Sequence, residues 1–192
     1  MIGRAMAERN RHIIKPPGAY NAVHALAKAQ GWKLLDKIKG RLGGPVSYQE
    51  IFTARDRSFG VHYIDDDLAG VPFLQTAGPK RDEASEVIRK CLPVYSEDEL
   101  FALWDNANDM ESKMDAILAL GVAAEPGPTG EHIRRIGEAL TDEDPNVRSA
   151  GLVALSYNPP AALKPLVVAI RDGDPDEDSK ERARIILEDW KD

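Results

Sequence analysis

Apolar positions along this chain keep two rhythms, and the change between them divides it. From Tyr20 to Ile38 the spacing is helical: Val23, Leu26 and Ala27 share one side, and after Gly31 a second stripe of Trp32, Leu35 and Ile38 runs on until Gly43-Gly44-Pro45. The pattern then alternates. Val46, Tyr48 and Phe52 fall on one parity with Glu50 as the polar exception, and Phe59, Val61 and Tyr63 follow. After the turn Asp65-Asp66-Asp67-Leu68-Ala69-Gly70 come Val71, Phe73 and Gln75. These runs predict an antiparallel three-stranded meander with flanking helices. Its third strand is expected at an edge, because Pro72 has no N–H for a ladder. Ala84, Val87, Ile88, Cys91 and Leu92 then obey helical spacing up to Pro93. The first 18 residues, ending in Lys15-Pro16-Pro17-Gly18, lack such a pattern and read as a basic mobile arm.

From residue 96 the chain is helical throughout. Ser96 and Glu99 form a capping box, in which each side chain satisfies an orphan N–H. Stripes follow at Leu100, Leu103 and Trp104; at Met114, Ile117, Leu118 and Gly121; at Ile133, Ile136 and Leu140; and at Val147, Ala150 and Ala154. Leu163, Leu166, Val167 and Ile170, then Ala183, Ile186, Leu187 and Trp190, complete the series. Between Leu140 and Val147 lies an acidic turn, with Asp144 placed to cap and Pro145 at the first helical position. The segment Leu166 to Pro175 overlays Ile136 to Pro145, while Lys113, Ala119 and Leu120 overlay Arg148, Ala154 and Leu155.

This self-similarity resembles a HEAT-like helical repeat of about three hairpins over residues 96–192, with spacing closer to compact bacterial repeats than to long ones. The resemblance implies an all-α stacked array whose faces bind other proteins. HEAT-like folds also occur in alkylpurine DNA glycosylases and in phycobilin lyases. The glycosylases use more repeats and a basic concave face, and no lyase motif is present. The resulting fold class is an α+β domain over residues 19–95 followed by an all-α HEAT-like array.

Charge sharpens that division. Residues 1–96 carry 15 Lys/Arg against 10 Asp/Glu, a net of +5, whereas residues 97–192 carry 10 against 22, a net of −12. An acidic half of this kind attracts a basic partner in a salt-dependent way. Cys91 is the lone cysteine, which excludes an intrachain disulfide and a thiolate zinc cluster, and its place on an apolar stripe suggests a core thiol. No apolar run approaches the ~20 residues of a membrane span, and the first residues lack a signal-type apolar core, so a cytoplasmic setting is expected.

Motifs for catalysis are weak. Asp172-Gly-Asp174-Pro-Asp176-Glu-Asp178 looks like a calcium loop, but Glu177 and Ala183 stand where Gly and Glu are required. Three successive carboxylates at 65–67 diverge in a strand, and the four histidines have no metal-ligand spacing. The glycines of Gly40–Gly44 and Pro126–Gly130 lack the Gly-Lys-Ser/Thr ending of a phosphate loop. No cofactor, metal or catalytic residue is therefore assigned.

The expected function is non-enzymatic binding of a basic protein, one form being an antitoxin or immunity protein. The residues expected to touch it are Arg134, Arg135, Arg148, Asp142, Glu143, Asp172 and Asp174. The alternative is a nucleic-acid-binding, glycosylase-like protein. It would use a basic face in which Lys33, Lys37 and Arg41 form one helical row, with Tyr20 and Trp32 near to stack.

Overall fold

The computed structural model describes residues 10–40, 47–124 and 129–190. The chain divides into two compact units, Met1–Tyr95 and Ser96–Asp192. It is α+β, with an antiparallel sheet confined to the first unit.

The first unit contains β1 (Asn10–Ile13), α1 (Ala19–Gln30), β2 (Lys33–Ile38), β3 (Tyr48–Thr53), β4 (Gly60–Asp66), β5 (Val71–Ala77) and α2 (Arg81–Cys91). The sheet has five strands, not three, in the order β1-β5-β4-β3-β2. Both extra strands come from segments expected to be something else. Residues 10–14, assigned to a mobile arm, pair with β5 and bury Ile13 and Ile14. Residues 1–9 lie outside the described residues.

Trp32 to Ile38, expected to be helical, is the edge strand β2. Gly31 stops α1 with a left-handed φ of 66°, and the Trp32 N–H bonds back to the Ala27 carbonyl at 2.9 Å, a Schellman closure. The three-residue spacing of Trp32, Leu35 and Ile38 imitates a helix because a register shift between Leu34 and Asp36 breaks the strand's alternation.

Pro72 is also interior rather than at an edge. Its carbonyl accepts from Ile14 N at 3.2 Å, so its missing N–H points toward β1, just where that ladder ends at Phe73. The helix-facing side of the sheet buries Phe52, Val61, Tyr63 and Leu74 against Val23, Leu26, Ala27, Ala84 and Ile88. Cys91, expected in this core, is exposed at the end of α2.

The second unit contains α3 (Glu97–Asp105), α4 (Met110–Ala123), α5 (Gly130–Leu140), α6 (Pro145–Tyr157), α7 (Lys164–Gly173) and α8 (Glu177–Asp189). The Ser96/Glu99 capping box forms, and Asp144 accepts from Asn146 N with Pro145 at the first helical position. Asp109, Asp144 and Asp176 cap α4, α6 and α8, so equivalent turns are 35 and then 32 residues apart. Pro175 therefore precedes its cap and is not the equivalent of Pro145. The turn is the same motif: Asp142 accepts from Asp144 N at 3.0 Å, as Asp174 does from Asp176 N at 2.8 Å.

Registering the helices on their caps exposes a change of chemistry along the array. Eight residues past the cap stand Ile117 and Leu152, both fully buried; the third equivalent is Arg184, exposed and paired with Glu181 and Glu188. This position of α8 thus meets water through ion pairs.

The α4 and α6 backbones approach closely at Gly121. A Cβ on Gly121 would lie 2.4 Å from Ala154 Cα. Because the obstacle is backbone, it cannot rotate away. Gly121→Ala is expected to lower stability by about 1–3 kcal/mol despite its better helix propensity, read as a lower urea midpoint. A midpoint equal to or above wild type would contradict this packing.

Candidate functional site

In the first unit one buried charge gathers side chains from three elements. Glu50 on β3 is 0 % exposed on the helix-facing side of the sheet. Its Oε1 accepts from Tyr48 Oη at 2.6 Å and Tyr20 Oη at 3.2 Å, and lies 2.6 Å from Lys37 Nζ. Oε2 faces His24 Nε2 at 2.5 Å without hydrogen-bond alignment. Tyr20 and His24 come from α1, one turn apart, and Lys37 from the edge strand directly opposite Glu50. Burial alone would push the Glu50 carboxyl up, but bonds from Lys37 and Tyr48 and the nearby His24 outweigh it and hold the pKa at about 2. The same carboxylate raises the Tyr48 hydroxyl and the Lys37 ammonium.

This arrangement is a clamp. Tyr20, Tyr48 and Lys37 direct their polar atoms onto Glu50, with His24 alongside, and the carboxylate joins α1 to the outer strand of the sheet. Sequence marked Glu50 only as an exception to alternation; a carboxylate on an apolar parity is the signal that a cation and hydroxyls are folded against it.

A second buried network joins β1, β5 and α2. His12 Nε2 lies 3.0 Å from Ser85 Oγ, and Thr76 Oγ1 lies 2.9 Å from the same atom. Burial first and Arg89 second push His12 down to about 4, so it is neutral at neutral pH. Ser85 and Thr76 are fully buried, and no substrate reaches the pair. Its role is to satisfy polar groups under α2.

The expected basic row does not form. Lys33 pairs with Thr53 and Lys37 with Glu50, which places them on opposite faces of β2, and Lys37 is engaged by Glu50. Arg41 lies outside the described residues.

In the second unit the acidic turns are tied to one another. Lys113, four residues past the Asp109 cap, donates to Asp142 of the next turn at 2.6 Å. Arg148, four residues past the Asp144 cap, grips Asp174 of the turn after that with two bonds of 2.7 Å. Its remaining nitrogen bonds the Asp142 and Glu143 carbonyls at 2.9 and 3.0 Å. Bonding to Arg148 lowers the Asp174 carboxyl against its burial.

The residues expected at a partner surface therefore separate. Arg148 and Asp174 are buried and structural, not exposed contacts. Arg135 is buried too: it holds Asp105 bidentately at 2.5 and 3.0 Å and stacks over Phe101 at 4.2 Å. Arg134 is exposed but lies between Glu131 at 3.2 Å and Glu138 at 2.5 Å. Asp142 is half-buried on Lys113, Asp172 is exposed and paired with adjacent Arg171, and Glu143 projects into solvent.

Between the first two turns lies an open cleft of about 170 Å³, lined by Met110 and Val147, by Asp109, Glu143 and Asp144, and by the Lys113–Asp142 pair. Among the described residues no group of His, Cys, Asp and Glu could hold a metal ion, and no helix is long and apolar enough to cross a membrane. Comparison with family models, curated proteins and solved structures finds no match.

Two outcomes test these assignments. Glu50 has a folded pKa depressed from 4.5 to about 2, so its stabilisation is complete above 4.5 and disappears as pH falls from 4.5 to about 2. Glu50→Gln should cost about 2 kcal/mol at neutral pH, with the gap to wild type closing across that window in urea titrations. A gap independent of pH would refute the clamp. Arg148→Met, which strands a buried Asp174, should cost about 3–5 kcal/mol, and adding Asp174→Leu should restore much of it. Additive losses in this double-mutant cycle would show that the two side chains are not coupled.

Proposed function

We propose that the second unit is a HEAT-like array that binds a basic protein along the edge formed by its acidic turns, by recognition rather than catalysis. The observation that carries this reading is the ladder itself. Lys113 and Arg148 are directed inward onto Asp142 and Asp174, so the turns are held in fixed register. Glu143, Asp172, Glu177 and Asp178 are left on the solvent side. Fixed carboxylates beside an open cleft suit lysine and arginine side chains, whose stems can lie on Met110 while their heads meet the walls. The excess of acidic residues in this half would steer such a partner from a distance.

Neutralisation of a basic nuclease-like toxin in the cytoplasm, as an antitoxin or immunity protein does, is one form of this activity. The buried Arg135 and Arg148 support the array, and of the predicted arginines only Arg134 is left on the surface. A nucleic-acid reading based on the Lys33, Lys37 and Arg41 row loses its geometric basis, because Lys33 and Lys37 do not share a face.

Capture from a lysate of the source cells should recover a basic protein, released when salt rises from about 0.1 to about 0.5 M. The variant Glu143→Lys/Asp178→Lys changes two exposed side chains outside the ladder. It should weaken the purified complex at least tenfold while leaving thermal unfolding unchanged. Retention of a salt-insensitive partner, or unaltered affinity in that variant, would overturn the proposal.

A further inference from the structure

At one end of the sheet the first unit brings five basic side chains together, of which, among the described residues, Lys80 alone is paired, with Glu83 at 3.4 Å. Four segments meet there. The last turn of α1 presents Lys28, the start of β2 presents Lys33, the β3–β4 turn presents Arg55 and Arg57, and the β5–α2 turn presents Lys80; all five are exposed. Their proximity follows from one side-chain contact and two backbone pairings. A Cβ on Gly31, just after Lys28, would lie 3.2 Å from Arg55 Nη2. Lys33 is paired with Thr53, two residues before Arg55, and Lys80 N bonds Ser58 O at 3.2 Å.

Among the described residues, Lys28, Lys33, Arg55 and Arg57 make no ion pair, in contrast to Lys37 and to Arg135 and Arg148 of the helical unit. The acidic groups nearby are Asp56, Asp82 and Glu83. Asp56 is turned onto Ser58, accepting from its N at 3.0 Å and its Oγ at 2.7 Å, while Asp82 and Glu83 lie beside Arg81 and Lys80.

The turn that offers the two arginines is held in a costly shape. Arg57 is the one non-glycine residue with positive φ among the described residues, at 59°. The Asp56–Ser58 bonds and Arg57 N to Ala54 O at 3.0 Å maintain it. Among these cations sit two half-buried rings, Trp32 and Phe59, edge to face with centroids 5.8 Å apart. Cations that follow a phosphate backbone, around aromatic rings on which bases can stack, are the two elements of single-strand recognition.

We infer that this end of the sheet, formed by Lys28, Lys33, Arg55, Arg57 and Lys80 around Trp32 and Phe59, binds single-stranded nucleic acid. The site shares Lys33 and Trp32 with the row expected from sequence, but Lys28, Arg55, Arg57 and Lys80 from other segments take the place of Lys37 and Arg41, and it does not depend on the acidic turns of the second unit. Binding is sequence-tolerant, since every base offers a ring face, and it weakens steeply with salt.

The full-length protein is titrated into labelled oligouridine and oligothymidine of about 15 nucleotides, with a duplex of equal length and a polyglutamate peptide as competitors. Single strands should bind with micromolar affinity at about 50 mM salt, tighter than the duplex, and the two oligomers show whether the sugar matters. Arg55→Glu/Arg57→Glu should weaken binding at least tenfold with unchanged thermal unfolding, while Lys37→Ala, changing a lysine already held by Glu50, should stay within twofold. The inference fails if single strands do not bind at low salt, if duplex binds as well, or if Lys37→Ala is as damaging as the double reversal. Polyglutamate displacing the oligomers at equal charge would assign the surface to an acidic protein instead.

Discussion

The helical unit depends on a cation placed four residues after the caps of α4 and α6 and a carboxylate two residues before the caps of α6 and α8. Lys113 with Asp142 and Arg148 with Asp174 repeat this relation, so each hairpin is locked to its successor by the turn that starts the successor's second helix. The Arg148 pair is buried, where two charges are tolerated only with their bonds filled. Bidentate geometry and the Asp142 and Glu143 carbonyls fill those of Arg148, and the Asp176 N–H adds to those of Asp174. Apolar packing between α4 and α6 lets the helices approach, but it is less directional than a fork of N–H groups on a carboxylate. The ladder supplies the register.

The sheet unit uses one buried carboxylate to similar effect. Glu50 draws Tyr20 and His24 from α1 and Lys37 from β2 to a single point, and so holds the helix and the outer strand to the middle of the sheet. In both units charge that would otherwise be exposed is internal. That changes what the formal balance means. Exposed basic side chains gather around the β3–β4 turn of the first unit, and Glu143, Asp172, Glu177 and Asp178 lie on the solvent side of the turns in the second.

Several features were legible from local sequence because local physics decides them. Ser96 with Glu99 and Asp144 before Pro145 make caps from neighbouring residues alone. Ile136 and Leu140, or Val23 and Leu26, need only helical periodicity to predict burial. What failed depended on distant partners. Trp32, Leu35 and Ile38 read as helical because a bulge reproduces a three-residue spacing, and β1 lacked a pattern because its identity comes from β5. Cys91 falls on an apolar stripe by spacing, yet the last turn of α2 leaves it exposed.

The candidate sites divide in the same way. Sequence alone determined the two-part plan, the charge contrast, and the repeated acidic turns with a basic residue following each. Those properties are read from composition and local spacing and need no distant partner. Tertiary structure alone decided which charges are spent. Arg135 and Arg148 are indistinguishable from Arg134 in composition, but packing brings Asp105 and Asp174 to them from 30 and 26 residues away. An ion pair across that separation forms only once the intervening chain has folded, so local spacing does not specify which arginine is left to meet a partner.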